Sequence, residues 1–393
     1  MKKLCVVTGN RAEYGILKPL IDIINNDYEL ELQLIVTGMH LSPEFGLTYK
    51  EIENDGFKID EKVEMLLSSD TAQGITKSMG ICMIGFADSF ERLSPDLVIL
   101  LGDRYEVLSV ASAAMVAQIP IVHLYGGETG AGTIDNMIRH AITKMSYLHF
   151  TSTEYYRKRV IQLGENPNRV FNVGSLGIEN IKTLKLLSKE ELEKELNFHI
   201  NDRTILCTFH PLSLEPSIAY DQFNEILLGF DRIEGLRIIF TKCNSDTGGR
   251  IINDMIDQYV LSHPMNSIVF FSLGTLKYLS TVKYVKAVVG NSSSGIIEVP
   301  SLSTYTINIG KRQDGRIQCE SIINCKTNRD DVYRKLNLVI RKSKLQKINN
   351  PYDNKNTSKS IIDTIKKEII AKQLQEKTFY DLQINEYLDN KEN

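Results

Sequence analysis

The chain has 393 residues, enough for about two or three domains. Its 46 basic and 49 acidic side chains leave a formal charge of −3, which argues against a nucleic-acid binder or a polybasic membrane-surface protein. With 42% hydrophobic and 24% charged residues, the composition is globular and excludes disorder, collagen or a coiled-coil array as the main architecture. The cysteines at 5, 82, 207, 243, 319 and 325 form no C-x-x-C pair. Cys5 and Cys207 sit in apolar runs, the pattern of buried thiols in a reducing compartment rather than a disulfide framework or zinc site. Met1-Lys2-Lys3 leads straight into Leu4–Val7, too short an apolar run for a signal-peptide core. No stretch approaches the roughly 18 apolar residues of a membrane span. The expectation is a soluble cytoplasmic chain.

Short apolar runs recur, each followed by a turn and a helical pattern. Leu4–Val7 leads into Thr8-Gly9-Asn10-Arg11 and then a helix around Gly15–Ile24, with Ile16, Leu17, Leu20, Ile21 and Ile24 on one face. Leu32–Val36 ends at Thr37-Gly38-Met39-His40, Leu97–Leu101 at Gly102-Asp103-Arg104, and Ile119–Leu124 at Tyr125-Gly126-Gly127-Glu128. Leu148–Phe150 and Val170–Val173 close the first half. After a charged helical segment around Ser188–Leu196 the pattern restarts. Thr204–Thr208 ends at Phe209-His210-Pro211 and Leu236–Phe240 at Thr241-Lys242-Cys243-Asn244; Ser267–Phe271, Ala287–Val289 and Tyr305–Ile309 follow. Continuous apolar strands alternating with helices predict an α/β protein whose parallel sheets are covered on both faces. The organisation reads as a Rossmann-like domain over 1–175 and a second over 176–364. A C-terminal helix over about 365–393 is expected to pack back on the first.

In open parallel sheets ligands bind at the carboxyl ends of the strands. Those ends carry Arg11, Glu13, His40, Asp103, Arg104, Glu128 and Asp135 in the first half. In the second they carry His210, Lys242, Asn244, Asp246 and the turn Asn291–Ser294. Any one of these, alone, is more often a helix cap or a satisfied polar residue; the joint pattern across both halves points to a cleft.

Gly290-Asn291-Ser292-Ser293-Ser294-Gly295 follows an apolar strand and opens a helical stretch. Small residues there let backbone N–H groups and hydroxyls approach an anion, although a serine N-cap without a ligand has the same look. No Gly-Lys-Ser/Thr follows, so it is not a P-loop. Glu298, about one turn on, is placed to accept from a ribose diol, or to act only as a first-turn acid. No G-x-G-x-x-G follows the first strand, which counts against a nicotinamide-dependent dehydrogenase. Arg11, Arg104 and Arg312 are suited to clamping a diphosphate by bidentate bonds; each alone is equally a surface ion-pair former. Asp103, Glu128 and Asp135 suggest proton chemistry, one acid abstracting a carbon-bound proton and another protonating a leaving oxygen. Arg139, His140 and Lys144 follow Asp135 on a predicted helix. No metal-ligand pattern and no G-x-S-x-G elbow occurs.

These motifs resemble the hydrolysing UDP-N-acetylglucosamine 2-epimerases of bacterial sialic acid biosynthesis and the epimerase part of the animal epimerase/kinase. The resemblance covers roughly residues 3–370. It rests on Thr8-Gly9-Asn10-Arg11-Ala12-Glu13-Tyr14, Gly38-Met39-His40, Gly102-Asp103-Arg104, Gly126-Gly127-Glu128 and Gly132-Thr133-Ile134-Asp135 with Ile138-Arg139-His140-Ala141-Ile142-Thr143-Lys144. In the second half it rests on His210-Pro211, Gly290-Asn291-Ser292-Ser293 and Gly310-Lys311-Arg312-Gln313. It implies the two-domain GT-B fold with UDP in the interdomain cleft. Ser292 and Ser293 would hold the diphosphate, Glu298 the ribose, and Arg11 and Arg104 the phosphates from the first domain. His210 and Arg312 would approach from the second, and Asp103 and Asp135 would handle protons. The site residues expected are therefore Asp103, Asp135, Glu128 and His210 for catalysis. Arg11, His40, Arg104, Arg139, His140, Asn244, Asp246, Asn291, Ser292, Ser293, Glu298 and Arg312 are expected for the UDP-sugar. The implied reaction eliminates UDP through a 2-acetamidoglucal and adds water, giving UDP and a free manno-configured sugar, with no cofactor and no metal. A homodimer or homotetramer is implied.

Two departures stand out. Many relatives carry Glu where this chain has Tyr125, which cannot act as a carboxylate base. The segment Glu128–Gly132 is one residue longer than in the animal enzyme. The Gln-His-x-x-Met-Leu-Asp segment of the non-hydrolysing branch is replaced by Gly38-Met39-His40-Leu41-Ser42-Pro43-Glu44, which favours the hydrolysing branch. The expected substrate is UDP-GlcNAc. The alternative is UDP-N,N′-diacetylbacillosamine on a route to legionaminic acid, whose enzymes look similar through Leu41–Gly46 and Met65–Asp70. A GT-B glycosyltransferase and a non-catalytic sugar-nucleotide sensor are more remote readings.

Overall fold

The computed structural model describes residues 1–67, 69–245, 247–370 and 376–382. Thirteen strands build two sheets, every pairing parallel. The first contains β1 (Lys2–Thr8), β2 (Leu30–Thr37), β3 (Glu61–Val63), β4 (Leu97–Leu101), β5 (Ile121–Leu124), β6 (Leu148–Thr151) and β7 (Val170–Asn172), in the order 3-2-1-4-5-6-7. The second contains β8 (Thr204–Thr208), β9 (Arg237–Thr241), β10 (Ser267–Phe270), β11 (Ala287–Gly290), β12 (Tyr305–Ile309) and β13 (Ile322–Cys325), in the order 10-9-8-11-12-13. In both, the order reverses beside the first strand, which is where a doubly wound sheet opens a crevice for ligands. The strands β4, β8 and β12 are buried along their whole length; β4 accordingly reads as an unbroken apolar run, whereas β8 and β12 also bury Thr204, Thr208, Thr306 and Asn308. The short edge strands β3 and β13 were not legible in the sequence.

Helices cover both faces of each sheet. Leu17, Leu20, Ile21 and Ile24 of helix Arg11–Asn25 are fully buried against β1 and β2. Asn10 caps this helix by accepting from the Ala12 and Glu13 amides at 3.0 and 3.1 Å, and Glu13 reaches back to the Gly9 amide at 2.8 Å, a reciprocal capping arrangement.

The same helix contains Pro19. Proline has no N–H, so the Gly15 carbonyl one turn earlier loses its intrahelical donor. Asn180, from helix Leu176–Thr183, donates its side-chain amide to that carbonyl at 2.6 Å. The proline is tolerated because a neighbouring helix supplies the missing bond. Leu176 joins the core formed by β1, β2 and helix Arg11–Asn25, whereas Leu192 and Leu196 join a core of the second sheet. The chain returns through Asn350–Asn356, and Ile361, Ile362 and Ile365 of helix Thr357–Ile365 enter the first core.

The helix expected over about 365–393 is not continuous. Regular helix ends at Ile365, a wider π-type turn covers Lys366–Ile370, and residues 376–382 are non-helical. Residues 371–375 and 383–393 lie outside the described residues. The polar stretch 342–356 is irregular.

Removing the donor with Asn180→Ala should cost about 1–3 kcal/mol, the penalty of a buried carbonyl left without a partner. Pro19→Ala in that background restores the intrahelical donor. The double variant should recover most of the loss in a urea titration; additive or worsened losses would show that the Asn180 bond does not compensate for the proline.

Candidate active site

The loops at the strand ends of the two sheets face each other. After β4, Asp103 receives a guanidinium hydrogen bond from Arg139 of helix Asp135–Met145. Arg139 also donates to the Tyr125 carbonyl at 2.7 Å. A second link holds the same loop: His123 on β5 contacts the Gly102 carbonyl at 2.7 Å and the Thr143 hydroxyl at 3.1 Å. Arg104 pairs with the buried Glu106 at 2.6 Å and reaches Ser245 of the second domain at 3.3 Å. Burial, with Glu106 close by, pushes the Glu13 carboxyl well above the usual carboxylate range. Arg11 is lowered to about 10 by burial, against the pull of Glu51, and stays cationic at neutral pH.

On the second domain, Asn291 follows β11. Its side chain accepts from the His210 amide and donates to the His210 carbonyl, both at 2.7 Å. Its own carbonyl accepts from Arg312 at 3.2 Å and Gln313 at 2.7 Å. The turn starts from Gly290 at φ +136°, where a Cβ would run into the Thr208 carbonyl oxygen; only glycine fits. Tyr278 donates to Ser294 at 2.7 Å. Burial, opposed by a Ser294 hydrogen bond and aided by Glu128, lifts Glu298 to about 7.

Between the domains lies a cavity of about 240 Å³. It brings together Arg11, His210, Asn244, Ser292, Ser293, Glu298 and Arg312 from the expected set. Sequence reading missed Asn180, Ser272, Thr275 and Tyr278 in the lining. The β10–helix turn Ser272-Leu273-Gly274-Thr275 was the available signal, since it too is a strand end. Gly15 lets the domains approach here, because a Cβ would run into the Thr275 hydroxyl.

Asp103, Arg104, Asp135, Arg139 and His140 do not line this cavity. They stand on first-domain loops and on helix Asp135–Met145. Asp135 is joined to the cavity through Arg312, whose guanidinium lies 3.8 Å from its carboxylate. His140 is half-buried, its imidazole pushed toward the neutral form by burial, Arg139 and Arg159. Asp246 lies outside the described residues.

Three expected site residues have other surroundings. His40 is fully buried, with one ring nitrogen 3.1 Å from Thr8 Oγ1 and the other 2.9 Å from Thr48 Oγ1. Neither nitrogen is left for a ligand, and burial lowers its pKa to about 3. Asn291 is committed to the His210 backbone rather than to the cavity. Glu128 is 1% exposed, receives the Ser152 hydroxyl at 2.7 Å, and pairs with Arg316 of the second domain at 2.7 Å. Arg316 is a partner the sequence did not reveal. Tyr125 has φ +66° and its hydroxyl is 2.9 Å from Ser175 Oγ. Its phenol is buried at the crossing between the domains and does not take the place of a carboxylate in the cavity lining. Among the described residues, no group of His, Cys, Asp and Glu is arranged to hold a metal ion, and no helix is long and apolar enough to cross a membrane.

Because His40 is held neutral, lowered by burial to about 3 from the ordinary imidazole value of 6.5, its stabilising contribution is complete above about pH 6.5 and lost as the pH falls toward 3. His40→Asn should therefore cost most at pH 7–8 and progressively less toward pH 4 in parallel denaturant titrations. A cost that grows on acidification would contradict a neutral buried imidazole.

Comparison with known proteins agrees with this arrangement. The chain matches the family described as UDP-N-acetylglucosamine 2-epimerase over residues 22–366. It is 47% identical over 336 residues, 85% of this chain and 87% of the other, to the GDP/UDP-N,N′-diacetylbacillosamine 2-epimerase (hydrolyzing) of Campylobacter jejuni. It is 40% identical to polysialic acid biosynthesis protein P7 of Escherichia coli, over 97% of this chain and 98% of that one. With the UDP-N,N′-diacetylbacillosamine 2-epimerase (hydrolyzing) of Legionella pneumophila the identity is 34%, over 93% and 96% of the two chains. Among solved structures, a Listeria monocytogenes protein described as a UDP-N-acetylglucosamine 2-epimerase superposes with a TM-score of 0.78 at 16% identity, covering 96% of this chain and all of that one. The two facing parallel sheets are thus the GT-B-like fold of these enzymes, and the chain belongs to the UDP-N-acetylglucosamine 2-epimerase family.

Proposed function

We propose that this chain is a hydrolysing 2-epimerase of a UDP-linked 2-acetamido sugar, with the nucleotide in the interdomain cavity and the sugar toward Asp103 and Asp135. The observation that carries this reading is the Asp135–Arg312 contact. It joins a carboxylate of the first domain to an arginine of the nucleotide cavity, next to where a C1–O bond would break.

The residues then divide the work. Ser292 and Ser293, with Arg11 and Arg312, stabilise the departing diphosphate, and Glu298 accepts from the ribose hydroxyls. One carboxylate takes the C2 proton as the C1–O bond breaks, leaving a 2-acetamidoglucal and UDP. Water then adds at C1 while a proton returns to C2 from the opposite face. The products are UDP and the free sugar with inverted C2. Arg139 fixes the orientation of the Asp103 carboxylate by direct pairing, which suits Asp103 to be the base; Asp135 and His210 remain for the other transfers. Glu128 is assigned to holding the domains together.

Two relatives whose names specify N,N′-diacetylbacillosamine, at 47% and 34% identity, support that sugar as the preferred substrate, ahead of UDP-GlcNAc. The polysialic acid relative at 40% supports UDP-GlcNAc as the second reading, with N-acetylmannosamine as product. Both sugars share the UDP and 2-acetamido groups, so the site chemistry is common to them.

The deciding experiment incubates the protein with each UDP-sugar in deuterated water, without added metal, and follows sugar H2 by proton NMR. Release of UDP and a free sugar deuterated at C2 establishes the reaction, and relative kcat/KM assigns the sugar. UDP binding with no turnover of either would favour the sensor reading. Asp103→Asn should lower kcat by about 10²–10⁴-fold while leaving UDP affinity within about twofold.

Glu298 gives a pH signature. With its pKa raised to about 7, binding a ribose diol to the ionised form releases a proton. UDP affinity should rise from pH 6 to pH 8, and Glu298→Gln should flatten that rise in calorimetric titrations.

A further inference from the structure

We propose that Lys377, beyond the last helix, is a positioning residue for the active site. Its ammonium caps the C-terminal end of helix Asp135–Met145, donating to the carbonyls of Thr143 at 3.4 Å, Lys144 at 2.7 Å and Ser146. It also pairs with Glu165 at 2.9 Å. The last carbonyls of a helix have no intrahelical donor and carry the negative end of its dipole. The Thr143 carbonyl also accepts from the Ser146 amide at 3.2 Å; the ammonium adds the donor for Lys144 and Ser146 and sets its charge at the negative end of the dipole.

The neighbourhood is built to receive this segment. Glu165 is also bonded to His149 at 2.9 Å and to Lys144 at 2.6 Å. The Tyr380 amide donates to the Gly164 carbonyl at 3.0 Å, and the Lys144 ammonium sits 4.7 Å from the Phe379 ring centre. Residues 376–380 therefore dock through backbone, aromatic and ionic contacts together.

The capped helix carries the chemistry at its other end. The Thr143 hydroxyl donates to the Arg139 carbonyl at 2.9 Å and meets His123, which contacts the Gly102 carbonyl. Arg139 holds Asp103, and Asp135 starts the helix. Arg139 lies about 7 Å along the helix axis from Lys144. Fraying or sliding at the Lys377 end therefore displaces the group that orients the proposed base. The nucleotide cavity is lined mainly by the second domain and helix Arg11–Asn25 and makes no use of this clamp.

The activity readout rests on the proposed function. The test compares the full-length protein with Lys377→Met, which keeps the side-chain stem and removes the charge. The expected result is a kcat at least tenfold lower on the preferred UDP-sugar, with KM and UDP affinity within twofold. Faster amide hydrogen exchange is expected at Arg139 and His140, and Lys377→Arg should restore part of the kcat. A folded Lys377→Met protein with kcat within twofold of the unmodified protein overturns the proposal, as does a loss confined to KM. Should Lys377→Met not fold, Phe379→Ala, which loosens the same segment, is measured in its place against the same criteria. If the unmodified protein turns over neither sugar, the functional reading fails. Exchange at Arg139 and His140 then decides the clamp separately, and unchanged protection there overturns it.

Discussion

The two halves of this protein make one site because Glu128 and Arg316 meet where neither can be solvated. Their side chains are 1% and 9% exposed and 2.7 Å apart. Removing one partner of such a pair strands the other charge in a low-dielectric setting, at about 3–5 kcal/mol. Around this pair the contact is reinforced by neutral bonds. Arg316 donates to the Thr129 carbonyl, the Ala131 amide to the Arg312 carbonyl, and the Ile134 amide to Ser213. The segment 129–134 leads directly into Asp135, so the placement of that carboxylate beside Arg312 follows from the same ion pair. An acidic residue at a strand end thus registers one domain on the other.

Much of the fold was legible because its determinants are local. Buried central strands such as β4 and β8 are rich in apolar residues, and the turns after them carry small or polar ones. The unread strands, Glu61–Val63 and Ile322–Cys325, are short, of mixed polarity and at sheet edges, where one flank needs no buried partner. Residue type and position at strand ends pointed to Arg11, Arg312, Ser292, Ser293 and Glu298, which line the cavity between the domains, and equally to Asp103 and Asp135, which do not. What could not be read were partners distant in the chain. Nothing near His40 in sequence announces that Thr8 and Thr48 enclose it, and nothing near Glu128 announces Arg316. The helix predicted to the C-terminus failed for a related reason. Its charged composition suits a helix, yet among the described residues Lys377 is non-helical and bonds the carbonyls at the end of another helix.

Substituted groups recur as a theme. Pro19 deletes a donor and Asn180 replaces it; at the end of helix Asp135–Met145 a tail lysine adds donors for the Lys144 and Ser146 carbonyls. In both cases a helix bearing site residues depends on a side chain from a distant part of the chain.

The double hydrogen bond from Asn291 to the backbone of His210 has a consequence for how an anion would be received. It ties the ends of β8 and β11 into one rigid unit, so the serine turn and the histidine cannot reorient independently. The conformational entropy of ordering that loop is lost when the chain folds rather than when a ligand arrives. Association with a diphosphate would then have little loop ordering left to oppose it.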